Sequence, residues 1–304
     1  MSKKAISYNK IQARKFDWTP EWFDHDEFDE ELIEKIKAFQ KAEGLSADGL
    51  CGPSTYRRLW TERESSGDYN EELVIPDGQK YIVHNGNPVP IQWDKVLLWN
   101  EPGGLDSRKG AYRSHAGKAD RNPSFFVTHW DVCLSSKSCA KVLKKRGLSV
   151  HYCIDNDGTI YQLLDSQHTG YHAGGTLNPK CVGVEISDAY SLKYQRWYER
   201  NGFGPRPIWR DKGVHGKTLK PFLGFYDVQI QALAALWEAV SRACDIPLAI
   251  PDGPDAVNTE VRRGNFEGFC CHYHLTRGKI DCAGLNMDDV LALAKELREN
   301  FEES

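Results

Sequence analysis

The stretch that most limits how this chain can fold lies near its end: Cys270-Cys271-His272-Tyr273-His274-Leu275-Thr276-Arg277-Gly278-Lys279-Ile280-Asp281-Cys282-Ala283-Gly284. Two histidines, a lysine, a carboxylate and three thiols crowd together there. His and Cys are the usual zinc ligands, and a lysine two or three residues from a ligand places a positive charge beside the metal. One short segment cannot complete a catalytic zinc site. The fold must therefore carry a distant part of the chain back against this one. The 304 residues leave room for one large domain, or a large one and a small one. A net charge of -4 gives no sign of a nucleic-acid-binding surface. No apolar run is long enough to cross a bilayer. The basic start, Met1 to Tyr8, has no apolar core and does not read as a secretory signal. Nine irregularly spaced cysteines read as reduced thiols, most of them small buried hydrophobes and one a metal ligand.

Residues 1–20 are polar and basic and read as a loose arm. From Trp22 to Trp60 the pattern is helical, with Phe28, Leu32, Ile36 and Phe39 on one face. Asp29 is placed to cap a helix over Glu30 to Lys41, Gly44 to stop it, and Pro53 to open a short helix over Ser54 to Leu59. The Phe39-Gln40 pair, Gly44-Leu45, Asp48-Gly49, Gly52-Pro53 and Thr55 resemble the small three-helix peptidoglycan-binding domain found beside many cell-wall hydrolases. Such a module implies a weak tether that raises local concentration at the wall. The expected division is a helical domain over 1–62, a charged Ser/Gly-containing linker over 63–75 and a catalytic domain over 76–304.

In the large domain, Lys80 to Val83 and Lys95 to Trp99 read as short strands separated by turns. Phe125-Phe126-Val127-Thr128-His129 is an apolar strand ending on a histidine. Ser135 is placed to cap a helix over Ser136 to Arg146, which Gly147 ends. The Asn156-Asp157-Gly158 turn joins two strand-like runs, Val150 to Asp155 and Thr159 to Leu164. A further strand, Cys181 to Ser187, carries Glu185 in an apolar run, where a carboxylate needs a partner, a metal-bound water or a cleft. Asp227 is placed to cap an amphipathic helix over Val228 to Cys244, and a last helix spans Asp288 to Arg298.

The order of these pieces, with His172-Ala173-Gly174 and Gly183-Val184-Glu185 between the two ends, resembles the zinc-dependent N-acetylmuramoyl-L-alanine amidases and the related peptidoglycan recognition proteins. The likeness covers roughly residues 120–295. It implies an α/β fold with a mixed β-sheet flanked by helices, here preceded by the small three-helix domain. With the wall-binding module in front, the chain resembles a modular phage endolysin. The resemblance implies Zn2+ held by His129, His274 and Cys282. His274 to Cys282 repeats the eight-residue step of members with a cysteine ligand, and Cys282-Ala283-Gly284 stands at their Cys-Pro-Gly. Lys279-Ile280-Asp281 also satisfies the Lys-x-Asp of members with an aspartate ligand. Asp281 therefore competes with Cys282, and His272 with His274. Catalytic roles fall by the same resemblance to Glu185 as general base and Lys279 as oxyanion stabiliser, and His172 to substrate contact. The branch that uses a tyrosine has it where this chain has Val150, which favours Glu185. His151 reads as structural.

An insert over 190–225 interleaves aromatics, among them Tyr194, Trp197, Tyr198, Trp209 and Phe222, with Arg and Lys. Such a pattern suits either sugar stacking with carboxylate recognition or a local core. The implied function is hydrolysis of the amide between N-acetylmuramic acid and L-alanine by a monomer. It would be made in a host cytoplasm and act on peptidoglycan in the cell wall, with no nucleic-acid partner and no membrane insertion. The alternatives are a non-catalytic peptidoglycan-recognition protein, a bacterial muropeptide-recycling amidase, and a hydrolase with Cys271 or Cys282 as nucleophile.

Overall fold

The computed structural model describes residues 2–69, 75, 77–118 and 121–303. Residues 70–74 of the expected linker lie outside the described residues. The chain divides into two compact units, Met1–Asp68 and Tyr69–Ser304.

The first unit is helical: α1 (Ser2–Phe16), a 3-10 turn (Pro20–Phe23), α2 (Glu30–Ala42) and α3 (Pro53–Glu64). Asp29 caps α2 by accepting from Leu32 N at 2.9 Å, and Pro53 opens α3. The loose arm expected over 1–20 is instead α1, which buries Asn9, Ala13 and Phe16. Its inward stripe includes an asparagine, so it lacks the apolar signature of a packed helix. Asn9 donates to Gly49 O at 3.0 Å and accepts from Cys51 N at 2.9 Å, holding the loop before α3 from one side. Gln40 holds it from the other. Its amide donates to Asp48 Oδ1, Leu50 O and Thr55 Oγ1 and accepts from Gly49 N.

The second unit contains β1 (Tyr81–His84), β2 (Asn87–Pro90), β3 (Val96–Leu98), β4 (Tyr112–Arg113), β5 (Phe125–Trp130), α4 (Ser136–Arg146), β6 (Tyr152–Ile154), β7 (Ile160–Gln162), β8 (Thr169–Gly170) and β9 (Cys181–Ile186). The insert follows with α5 (Gln195–Arg200), β10 (Ile208–Trp209), β11 (Gly213–Val214), β12 (Lys217–Thr218) and β13 (Phe222–Leu223). The chain closes with α6 (Asp227–Cys244), α7 (Thr259–Arg263), β14 (Gly268–Cys271) and α8 (Met287–Glu303). Six strands form a mixed sheet in the order β14-β5-β9-β6-β7-β3. The hairpin partners β6 and β7 run antiparallel, while β14, β5, β9 and β6 run parallel.

Strand alternation divides the sheet's faces. Phe126, Trp130, Val182, Val184, Tyr152 and Ile154 join a core with Leu233, Leu236, Trp237 and Val240 of α6 and with α8. Their neighbours in sequence, His129, Glu185 and Cys153, sit in register with one another on the opposite face. There Cys153 meets Cys139 of α4. The helix from 227 is capped differently from expectation. Tyr226 is the N-cap, in a capping box with Gln229, and Asp227 is the first helical residue.

The insert resolves as local core rather than a stacking surface: Tyr194, Trp197, Tyr198, Phe222 and Phe225 are all buried. Arg206 anchors it. This fully enclosed guanidinium lies between the rings of Tyr198 and Tyr226 and donates to Gly224 O at 2.9 Å, Ser187 O at 2.6 Å and the Asn156 side chain. Its hydrogen-bond acceptors are main-chain and amide oxygens fixed in place, and the buried Asp188 carboxylate lies 3.8 Å from Nη1 as its charge partner. Replacing Arg206 with Met should destabilise the second unit by about 3–5 kcal/mol, the usual cost of removing one partner from a buried charged network. Gln40→Leu should cost the first unit about 1–3 kcal/mol through stranded donors and acceptors. Urea titrations of the full chain would read both losses.

Candidate metal centre and active site

His129 sits near the C-terminal end of β5, in register with Glu185 on β9. On the other side of β5, β14 pairs through Cys271 with Thr128, which delivers the chain to His129. There the strand stops and becomes one 3-10 turn, His272–His274. At about three residues per turn, His272 and His274 cannot face the same way, as they would two apart on a strand. His272 turns toward His129, and their Nδ1 atoms lie 2.8 Å apart. Asp281 closes the group, its Oδ2 2.9 Å from His272 Nδ1 and 3.2 Å from His129 Nδ1. These three ligand atoms all lie within 4.8 Å of one another, and all three residues are buried. Two imidazole nitrogens and a carboxylate oxygen are a donor set that suits zinc and leaves a fourth position for water or substrate.

The expected pair His274 and Cys282 is not brought to His129. His274 turns back on its own turn, and its Nδ1 accepts from Cys271 N at 3.1 Å. It borders a separate cavity of about 320 Å3 with Asp255 and Tyr273. Cys282 points into the core beside Cys271, Leu285 and Met287. Adjacent side chains leave the backbone in different directions, so when Asp281 faces the histidines its neighbour faces the core. All nine cysteines are buried and free.

Electrostatics follow from burial. Enclosure, reinforced by His272, pushes the His129 imidazole down to about 4. Burial opposes ionisation of Asp281, but His272 and His129 together outweigh it and hold the carboxyl well below its usual range. Lys279 is partly exposed on the loop two residues before Asp281, and its charge also acts on His129. Glu185 is 7% exposed on the same sheet face as His129.

His172 also belongs to this group. Its Nδ1 lies 3.0 Å from His129 Nε2, with the rings edge to face at 88°. Its Nε2 approaches Cys181 Sγ at 3.8 Å. The ring expected to contact substrate thus turns both nitrogens inward. Behind it, His151 accepts from Gly183 N at 3.2 Å through Nδ1 and reaches His168 O at 2.9 Å through Nε2, which matches its structural reading.

Arg121 is a site-building residue that sequence reasoning missed. It is 6% exposed and donates to the carbonyl oxygens of Ser166, Gln167, Asn178, Pro179 and Cys181. It fixes the loop that carries His172. Asn178 then accepts from the backbone N–H groups of His172 and Ala173. An arginine in a polar Arg-Asn-Pro turn reads as surface, and nothing in its local pattern marks five buried acceptors waiting for it.

Residues 119–250 match the family described as N-acetylmuramoyl-L-alanine amidase, and residues 14–59 match that described as peptidoglycan binding domain. The chain is therefore a peptidoglycan amidase with a wall-binding module. The N-acetylmuramoyl-L-alanine amidase match lies within the second unit. Among solved structures it is similar to an endolysin N-acetylmuramoyl-L-alanine amidase of Clostridium intestinale. Identity there is 16%, over 65% of this chain and 93% of that one, with a TM-score of 0.38. An endolysin from a bacteriophage of Thermus scotoductus gives 17%, 66%, 98% and 0.37, and a mutant endolysin from Bacillus subtilis 17%, 66%, 97% and 0.38. No curated protein matches.

The buried histidines set a pH dependence. His151 is pushed down to about 3 by burial and Arg121, and His274 to about 4 by burial. Such groups stay neutral in the folded chain while the unfolded chain protonates them below pH 6.5. Stability of the metal-free protein should then fall as pH drops from 6.5 toward 4, each group adding up to about 1.4 kcal/mol per pH unit. Urea midpoints in chelator across this window test it, and a flat profile would contradict the neutral buried state.

Proposed function

We propose that this protein is a zinc-dependent N-acetylmuramoyl-L-alanine amidase and that it works as a phage endolysin. In this reading residues 1–62 tether it to the wall and residues 76–304 cleave. The convergence of His129 Nδ1, His272 Nδ1 and Asp281 Oδ2 carries this reading, and these residues would hold the zinc. The donor types fit, and the low proton affinity of Asp281 keeps its ligand oxygen available. Zinc bound there supplies a Lewis acid that polarises the scissile carbonyl and acidifies water.

The chain's own groups supply the rest. Glu185, one strand away from His129, takes the proton from the attacking water and returns it to the L-alanine amine as the amide bond breaks. The Lys279 ammonium, in the Lys-x-Asp spacing with Asp281, stabilises the negative charge that develops on the carbonyl oxygen. The buried partners around His129 hold that ring in place for the reaction. A cysteine nucleophile is disfavoured by the same geometry. Cys271 and Cys282 are enclosed in the core, and burial pushes the Cys282 thiol well above its usual range.

Mass analysis of digests of purified peptidoglycan tests the reaction. New L-alanine amino termini that vanish with a chelator are expected, and new reducing sugar ends instead would point to a glycosidase. Ligand assignment has its own test. His272→Ala and Asp281→Ala should lose bound zinc and activity, whereas Cys282→Ser and His274→Ala should retain zinc. Glu185→Gln should retain zinc while kcat falls by about 10²–10⁴.

A further inference from the structure

We propose that His172 is a positioning residue for His129, acting as the hydrogen-bond acceptor that fixes which ring nitrogen of His129 faces the metal; this rests on the zinc reading above. A histidine binds a metal only through an unprotonated nitrogen, and its other N–H needs an acceptor to hold the ring in that tautomer. That acceptor is usually a carboxylate, a backbone carbonyl or water. Here the atom at 3.0 Å from His129 Nε2 is Nδ1 of another imidazole.

Zinc on His129 Nδ1 would leave one consistent proton arrangement. His129 Nδ1 points at His272 and Asp281, so with the metal on Nδ1 His129 would carry its proton on Nε2. That proton is donated to His172 Nδ1. His172 then carries its own proton on Nε2, where Cys181 Sγ is the partner at 3.8 Å.

The strand beneath is shaped for this ring. A Cβ built on Gly183 would lie 2.4 Å from His172 Cε1 and 2.7 Å from its Nδ1. Gly183 is not in a left-handed conformation, so the glycine there serves space rather than backbone freedom. The ring is also fixed along its backbone, since Asn178 Oδ1 accepts from His172 N at 3.1 Å. Gly183 N is itself tied to His151. The ring, the gap it fills and the strand beneath it are thus held as one piece.

Two substitutions separate the acceptor from the ring. His172→Phe keeps the ring's bulk and removes the acceptor. His172→Asn removes the ring and keeps an oxygen near the Nδ1 position. Zinc affinity of the full chain, measured by competition with a chromophoric chelator, should fall by ~10–100-fold in His172→Phe, the usual loss for an outer partner of a ligand histidine. It should stay within roughly threefold in His172→Asn, since the acceptor that fixes the tautomer is retained. Zinc binding by His172→Phe as tight as wild type, or weakening in His172→Asn equal to that in His172→Phe, would overturn the proposal. His129→Ala runs alongside: if it binds zinc as wild type does, the zinc reading itself is wrong. The second readout needs no variant. Nitrogen NMR of the zinc-loaded wild-type chain should find the His129 proton on Nε2 and the metal on Nδ1, and the reverse would refute the assignment.

Discussion

The candidate site depends on β5 being paired in parallel on both sides. Pairing with β9 sets Glu185 beside His129, and pairing with β14 ends the last strand where His272 can turn inward. A shift of one residue in either register would carry a needed side chain to the face packed by α6. Burying that other face with Trp237, Leu236 and the strand valines and isoleucines makes the register hard to slip. The chemistry on one face is therefore positioned by hydrophobic packing on the other.

Much of this was legible in the chain. The strand ending on His129, the Ser135-capped helix, the Asp-Gly hairpin and the amphipathic helix to Cys244 all carry local signals, and all formed within a few residues of expectation. The place of His129 at the end of its strand was legible for the same reason. The closing segment was not. That His272 and not His274 turns toward His129 depends on the chain leaving β14 as a 3-10 turn, and no periodicity marks so short an element. That Asp281 and not Cys282 faces the histidines depends on which side chain the core claims. Thiolate affinity for zinc is real, but it cannot act on a thiol that faces Met287 and Cys271.

Aromatic and basic residues were the other place where composition misled. The insert's rings read equally as a sugar platform or a small core, and packing resolves them as core around Arg206. Arg121 and Arg206 work alike. Each is a cation placed where several carbonyl oxygens converge, and each fixes an irregular segment beside the sheet. The polar inward stripe of α1 is the same lesson in the first unit: Asn9 and Gln40 are buried for the backbone groups they satisfy.

The family match over 119–250 holds His129 and Glu185 but stops before His272 and Asp281. It also begins after β3, which closes the far edge of the sheet, and after β4, which pairs with the strand leading into His172. A fragment cut to the matched stretch would lack two of the three converging ligand atoms and leave β7 as a bare edge. Anyone exchanging modules among wall hydrolases would need to move the whole unit from Tyr69 onward as a single cassette. The unit of inheritance that sequence matching recognises is smaller than the unit that can be transplanted.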